Sequence, residues 1–188
     1  HTRSLCDWSS DVCSSDLGTF TDYSETMLGK TKTALASQSH RHRVIEADFG
    51  TPNWRGAVDD KYDAIVSRFA IHHQPDVRKK EIYEEIYSML IPGGIFLNLE
   101  HVSSTSRFGS KNFEELFVDS LEAYDKAIGG SKSREKIEQE CMERRHDELD
   151  IHASTEEQVG GLWDIGFSDA DCFFRLFELA LFGGRKPR

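Results

Sequence analysis

Residues 62–99, YDAIVSRFAIHHQPDVRKKEIYEEIYSMLIPGGIFLNL, decide the fold. Tyr62-Asp63-Ala64-Ile65-Val66-Ser67 carries apolar, β-branched residues at its centre and reads as a strand. From Asp76 onward, Ile82, Ile86, Met89 and Leu90 recur at helical spacing and make one apolar face. Pro92-Gly93-Gly94 reads as the turn that stops this helix. The glycine pair follows a helix rather than preceding one, so it is a stop and not an anion cradle. Ile95-Phe96-Leu97-Asn98-Leu99 is nearly all apolar, the sign of a strand covered on both faces. Strand, helix, strand is the repeating unit of a parallel α/β sheet.

The pattern extends upstream. Thr19-Phe20-Thr21 reads as a short strand ending at Asp22. Ser24 is placed to cap a helix reaching about Ala36. The polar stretch Ser37–Arg43 reads as a loop, and Val44-Ile45-Glu46-Ala47 as a strand closed by Asp48. Downstream the character changes. Phe113, Leu116, Phe117, Leu121, Tyr124 and Ile128 form one amphipathic helix, broken at Gly129-Gly130-Ser131. Arg134–Glu148 is a charge-dense helix with a solvated face. Ser154 with Glu157 forms a capping box for a helix through Leu162, Trp163 and Ile165 that ends at Gly166. Two strand-like runs, Asp171–Leu176 and Glu178–Phe182, lie close enough to pair antiparallel. The segment 103–151 is long for a connection between two strands, and connections of that length carry function. It reads as a helical cap over a pocket, with Phe113, Phe117 and Tyr124 packing onto the domain rather than touching a ligand.

The formal charge is −10. An acidic chain lacks the Lys and Arg that non-specific nucleic-acid binding needs to displace counterions. No apolar run approaches the roughly 20 residues of a membrane span. Residues 1–17, HTRSLCDWSSDVCSSDL, read as the translation of an indexed sequencing adapter. The fixed part matches Asp7 to Leu17, and the variable index falls at Ser4, Leu5 and Cys6. Such a segment is left out of fold reasoning, which makes 18–188 the natural, partial domain. Two of the four cysteines, Cys6 and Cys13, then fall in the adapter. Cys141 and Cys172 show no ligand spacing, so the expectation is a reducing, cytoplasmic setting with no structural zinc.

Several segments, in order, resemble the class I S-adenosylmethionine (SAM)-dependent methyltransferases. Asp22-Tyr23-Ser24-Glu25-Thr26-Met27-Leu28 is similar to the family's second strand and following helix. Ala47-Asp48-Phe49 is similar to the acidic-aromatic pair after its third strand. Tyr62 to Ser67, running on to Ile71-His72-His73, is similar to its fourth strand with a paired-His ending. Leu90-Ile91-Pro92-Gly93-Gly94 is similar to the turn before its fifth strand, and Leu181-Phe182-Gly183-Gly184-Arg185-Lys186 to its seventh strand. The resemblance covers nearly all of Gly18–Arg188. It implies a Rossmann-like three-layer αβα sandwich with strand order 3-2-1-4-5-7-6, strand seven antiparallel. One part of the pattern is missing. The first strand and its glycine-rich loop, which approaches the methionine end of SAM closely, have no counterpart in Ser9-Ser10-Asp11-Val12-Cys13-Ser14-Ser15-Asp16.

The resemblance assigns roles residue by residue. Asp22 would accept the ribose hydroxyls of SAM, as an acceptor-only carboxylate suits, with Tyr23 and Met27 beside the ribose and adenine. Asp48 would accept the adenine amino group, with Phe49 against the ring or offering its backbone N–H. Ser67 through His73 would line the transfer site, Ser67 on the cofactor side. His72 or His73 would act as general base, because imidazole titrates near neutral pH. Arg68 would contact an anionic substrate, and Glu100 and His101 would face the acceptor pocket. Each has an ordinary structural reading as well: Asp22 and Asp48 as turn residues, Tyr23 and Met27 as helix packing, Phe49 as core, the histidines as caps. No carboxylates and His converge in sequence, so no metal site is expected.

The reading that follows is SAM-dependent methyl transfer to a small-molecule acceptor. The histidine pair and terminal strands also resemble relatives that modify the wobble uridine of tRNA. An NAD(P)-dependent reductase would likewise place an acid after its second strand, but the terminal antiparallel pair and Leu90-Ile91-Pro92-Gly93-Gly94 argue against it. A further alternative concerns the chain as written: an inactive fragment without its glycine loop.

Overall fold

The computed structural model describes residues 17–58, 60–147 and 151–188. The adapter reading of residues 1–16 and the helical end at Glu148 lie outside them. The chain divides into two compact units, His1–Asp59 and Asp60–Arg188.

In the first unit, β1 (Gly18–Asp22) runs parallel to β2 (His42–Glu46), with Phe20 opposite Val44 and Asp22 opposite Glu46. The crossover is α1 (Glu25–Ala34), whose first turn is capped by the Ser24 hydroxyl accepting from the Met27 N–H at 3.4 Å. The helix closes two residues before the expected Ala36. The stretch expected as a loop tightens instead into a 3-10 turn, Ala36–Arg41. A single turn of helix, α2 (Trp54–Ala57), follows β2.

The second unit holds a mixed sheet. β3 (Tyr62–Arg68) is followed by a 3-10 turn, Ile71–His73, then α3 (Asp76–Met89) and β4 (Leu90–His101). Next come α4 (Arg107–Ala127), α5 (Arg134–Asp147) and α6 (Thr155–Ile165). The hairpin of β5 (Ser168–Leu176) and β6 (Leu179–Arg185) ends the domain. The strand order is β3-β4-β6-β5, with β3 parallel to β4 and β6 antiparallel to both neighbours. Inserting the last strand between two earlier ones reproduces the 4-5-7-6 half of the expected order, and β2-β1 reproduces its 3-2 half. Among the described residues, β1 pairs only with β2 and β3 only with β4. No described strand takes the place of the family's first.

The turn Pro92-Gly93-Gly94 does not stop α3 as its composition predicts. The helix already ends at Met89, Leu90 is extended, and Leu90 pairs with Tyr62. Pro92 keeps Ile91 out of helical geometry, but the chain leaves the helix one residue earlier, at Leu90, where ψ is already 141°. The three residues sit inside β4 as an irregularity in its pairing with β3, with Gly93 at φ 84°.

β4 is buried unequally on its two faces. Phe96, Asn98 and Glu100 are wholly buried, while the residues between them are half-covered. Phe96 packs against Tyr83 of α3 and Phe167 beside α6 at 5.6 and 6.2 Å. The Tyr83 hydroxyl donates to Gln158 Oε1 at 2.6 Å, and burial together with the nearby Glu100 charge pushes the phenol well above its ordinary pKa. Both ends of α6 follow the sequence: Ser154 and Glu157 form a reciprocal capping box, and Gly166 at φ 108° closes the helix. A strained left-handed position is natural for glycine, which has no Cβ to clash.

Gly183 of β6 sits directly against the backbone of β4. A Cβ on Gly183 would collide with the Phe96 carbonyl oxygen, a backbone atom that has nowhere to go. Gly183→Ala should therefore lower stability by about 1–3 kcal/mol, the range for forced overpacking, read as a drop in the urea midpoint. An unchanged midpoint would show that the strands are not packed this tightly.

Candidate functional site

The site grows from one buried carboxylate. Glu100, near the end of β4, is wholly buried. Its Oε2 accepts from the backbone N–H of Ile71 at 3.0 Å and of His72 at 3.2 Å. Its Oε1 lies 2.5 Å from His72 Nδ1 and also accepts from the His101 N–H at 3.1 Å. A carboxylate is acceptor-only, so His72 carries its proton on Nδ1 and turns Nε2 the other way. Glu100 was expected to face a substrate. It faces inward instead, because both of its oxygens are consumed in holding the 3-10 turn after β3.

That turn brings histidines together. The ring of His72 lies 3.9 Å from His73 and 5.5 Å from His101. His152 completes the group at 5.8 Å from both His72 and His101, stacked on the latter. The backbone explains its position: Ile151 N–H donates to the His72 carbonyl, and the Ser103 N–H donates to the Ala153 carbonyl. Lys79, nearly buried, ion-pairs with Asp76 and donates to the Ile151 carbonyl.

These rings border a cavity of about 520 Å³. Phe69, Phe113 and Phe117 supply aromatic walls, and Leu116, Leu176 and Leu179 supply aliphatic ones. His101 meets Phe113 and Phe117 edge-on at 5.9 and 6.4 Å. The sequence places Phe113 and Phe117 as packing residues only; in the structure they line the cavity, because the 21-residue α4 carries them over the end of β4. Tyr124, on the same stripe, is exposed. Phe69 adopts φ 49°, rare for a bulky side chain. Such strain persists only where surrounding structure imposes it, and it clusters at binding sites.

The remaining expected residues are distributed differently. Arg68 is exposed, with its guanidinium 5.2 Å above the Phe69 ring, and it does not border the cavity. Ser67 sits on β3 opposite Asn98, also outside the cavity lining. In the first unit, Asp22 ends β1 and Asp48 follows β2, so both acids stand at the carboxyl end of one parallel pair. That is where open α/β sheets bind ligands. Asp22 Oδ1 accepts from the Ser24 N–H and Asp48 Oδ1 from the Gly50 N–H, each at 2.8 Å. Tyr23 is 67% exposed and Met27 45% exposed, so neither is helix packing. Phe49 packs edge-on against Trp54 at 6.3 Å.

His152 and Glu178 line the cavity without having been singled out in the sequence. His152 gave no local signal. Glu178 did: it is the one charge in the otherwise apolar run Leu176–Phe182. Among the described residues, no group of three or more His, Cys, Asp or Glu is arranged to hold a metal ion. No described helix is long and apolar enough to cross a membrane.

Residues 8–94 match the family model of a methyltransferase domain. The match begins inside the stretch read as adapter. Among solved structures, PigF with bound S-adenosylhomocysteine (SAH) is 18% identical, with TM-score 0.54, over 89% of this chain and 42% of its own. An O-methyltransferase family protein from Burkholderia thailandensis is 15% identical, with TM-score 0.59, over 91% of this chain and 44% of its own. The N-methyltransferase NodS from Bradyrhizobium japonicum, in complex with SAH, is 13% identical, with TM-score 0.52, over 90% of this chain and 66% of its own. The chain has the fold of these proteins. It spans less than half the length of PigF and of the Burkholderia protein. No curated protein matches it.

Removing the Glu100 carboxylate strands three buried donors at once. Glu100→Leu should cost about 3–5 kcal/mol, the range for breaking a buried pair, measured by urea denaturation. A loss below about 1 kcal/mol, typical of a surface ion pair, would show that Glu100 does not hold the turn.

Proposed function

We propose that this chain belongs to a SAM-dependent methyltransferase acting on a small molecule. The observation that carries the reading is the strand order: parallel β1-β2 with acids at their carboxyl ends, and a sheet whose last strand inserts antiparallel between β4 and β5. The methyltransferase-domain match over residues 8–94 supports it, as does the fold shared with proteins bound to SAH.

In this reading the first unit grips the adenosine. Asp22 takes the ribose hydroxyls through the oxygen its Ser24 turn leaves over, and Asp48 takes the adenine amino group. Tyr23 and Met27, exposed on α1's approach, cover the ribose and adenine, and Phe49 lies beside the ring. SAM supplies a methyl group already made electrophilic by its sulfonium. The protein's task is then orientation, exclusion of water and, for a hydroxyl or amine acceptor, removal of a proton.

The cavity of the second unit receives the acceptor. His72 is the proton acceptor, held in one tautomer by Glu100 in the manner of an oriented base. His73, half-exposed at 3.9 Å from it, lines the entrance. His101 contributes an edge to the wall. Glu100 acts through His72 rather than by touching the acceptor. Residues 1–17 are the adapter-derived part in this reading, and 103–151 the helical cap. The glycine-rich loop that would meet the methionine end has no counterpart in the sequence, so the affinity for SAM is low and the activity of the chain as written is impaired.

Calorimetric titration with SAH and with NADH tests the assignment. Saturable heat with SAH, weaker than micromolar and lost in Asp22→Ala, is the expected outcome, with no heat from NADH. Binding of NADH would overturn it in favour of a reductase. Micromolar affinity for SAH would overturn the account of the missing loop.

A further inference from the structure

We infer that the cavity selects a ring-bearing acceptor carrying a cationic or strongly hydrogen-bond-donating group, and that Glu178 is the residue that reads it. The inference rests on the cavity being the acceptor site. Glu178 lies in the two-residue turn between β5 and β6. It is 7% exposed and lines the cavity. Its backbone carbonyl accepts from the Val102 N–H at 2.8 Å, but its side chain makes no hydrogen bond or ion pair among the described residues. Buried charged groups are ordinarily paired, because an uncompensated one is costly to remove from water. The Glu178 oxygens are not among the fully buried unsatisfied atoms, so this carboxyl on the cavity wall stays open to a donor that enters the cavity.

The two-residue hairpin turn, whose geometry calls for a positive φ at its first residue, sets the position of Glu178. Phe177 before it adopts φ 52°, an uncommon backbone state for a phenylalanine. Arg175 is the nearest cation in sequence, and it is engaged elsewhere. Its Nε donates to the Phe177 carbonyl at 3.0 Å and its two terminal nitrogens to Glu156 and the Ser103 carbonyl, each at 3.2 Å. The arginine therefore braces the turn instead of neutralising Glu178. Among the described residues no Lys or Arg lines the cavity.

The other walls fix the rest of the ligand's chemistry. Phe69, Phe113 and Phe117 present aromatic surfaces suited to a flat ring and favourable to a nearby cation. A phosphate or carboxylate group would meet Glu178 with no Lys or Arg among the described lining residues to offset it. Arg68, expected to contact an anionic substrate, lies outside the described lining.

Three phenols of similar size make the test: tyramine, 4-ethylphenol and 4-hydroxyphenylacetate, titrated at neutral pH into the full chain and followed by ligand-observed NMR. Tyramine should bind at least about tenfold more tightly than 4-hydroxyphenylacetate, as a charge-assisted hydrogen bond would give. Glu178→Gln, confirmed folded by an unchanged urea midpoint, should bring tyramine and 4-ethylphenol to equal affinity. Equal binding of cation and anion by the parent chain, or no binding of any of the three, would overturn the proposal. So would an undiminished preference for tyramine in Glu178→Gln. SAH titration of the same samples separates the two readings: SAH binding without tyramine selectivity sinks only the role of Glu178, and NADH binding sinks the methyltransferase itself.

Discussion

A carboxylate with no access to water sets the geometry of the second unit. Glu100 gathers two backbone N–H groups and one imidazole from the turn that follows β3. It thereby joins the ends of two adjacent parallel strands at the edge where such sheets bind ligands. Burying a charge this deeply is unfavourable unless its lone pairs are filled. Here they are filled by the segment that has to be placed accurately. The interaction fixes the tautomer of His72, the direction of its ring and the path of the chain into α3.

The other elements build outward from that anchor. α3 and α6 cover the deeply buried face of β4 through Tyr83, Phe96 and Phe167. On the side of His101, α4 brings Phe113 and Phe117, and the chain at Ile151–Ala153 brings His152. The β5–β6 turn, braced by Arg175, closes the remaining wall with Glu178. Two phenylalanines take left-handed backbone conformations, Phe69 in the wall and Phe177 next to Glu178. The first is imposed by the surrounding fold, the second by the geometry of a two-residue hairpin.

The elements themselves were legible where local rules act alone. The Ser24 cap, the Ser154–Glu157 box, the Gly166 terminus and the terminal hairpin all follow from short-range chemistry. Pro92-Gly93-Gly94 has the composition of a helix stop, yet the helix ends earlier, at Met89, and the three residues lie in a strand. The site was less legible for a different reason. Its members come from six separate stretches of chain, and nothing near His152 or Cys141 in sequence signals that either lines a cavity. Glu100 was noticed as a polar residue at a strand end, but only the fold shows that its oxygens point at a backbone turn. The family resemblance located the strands; it carried no information on which side chains of the cap would turn inward.

The central claim is that Glu100 holds His72 in a single orientation with the proton on Nδ1. Nitrogen-15 NMR of the histidine side chains measures this directly, since the two ring nitrogens have distinct shifts in each tautomer. The account predicts a slowly exchanging, low-field Nδ1 proton on His72 that disappears in Glu100→Gln while the other histidines are unaffected. A His72 ring protonated on Nε2, or one whose signals do not change in that variant, would contradict it.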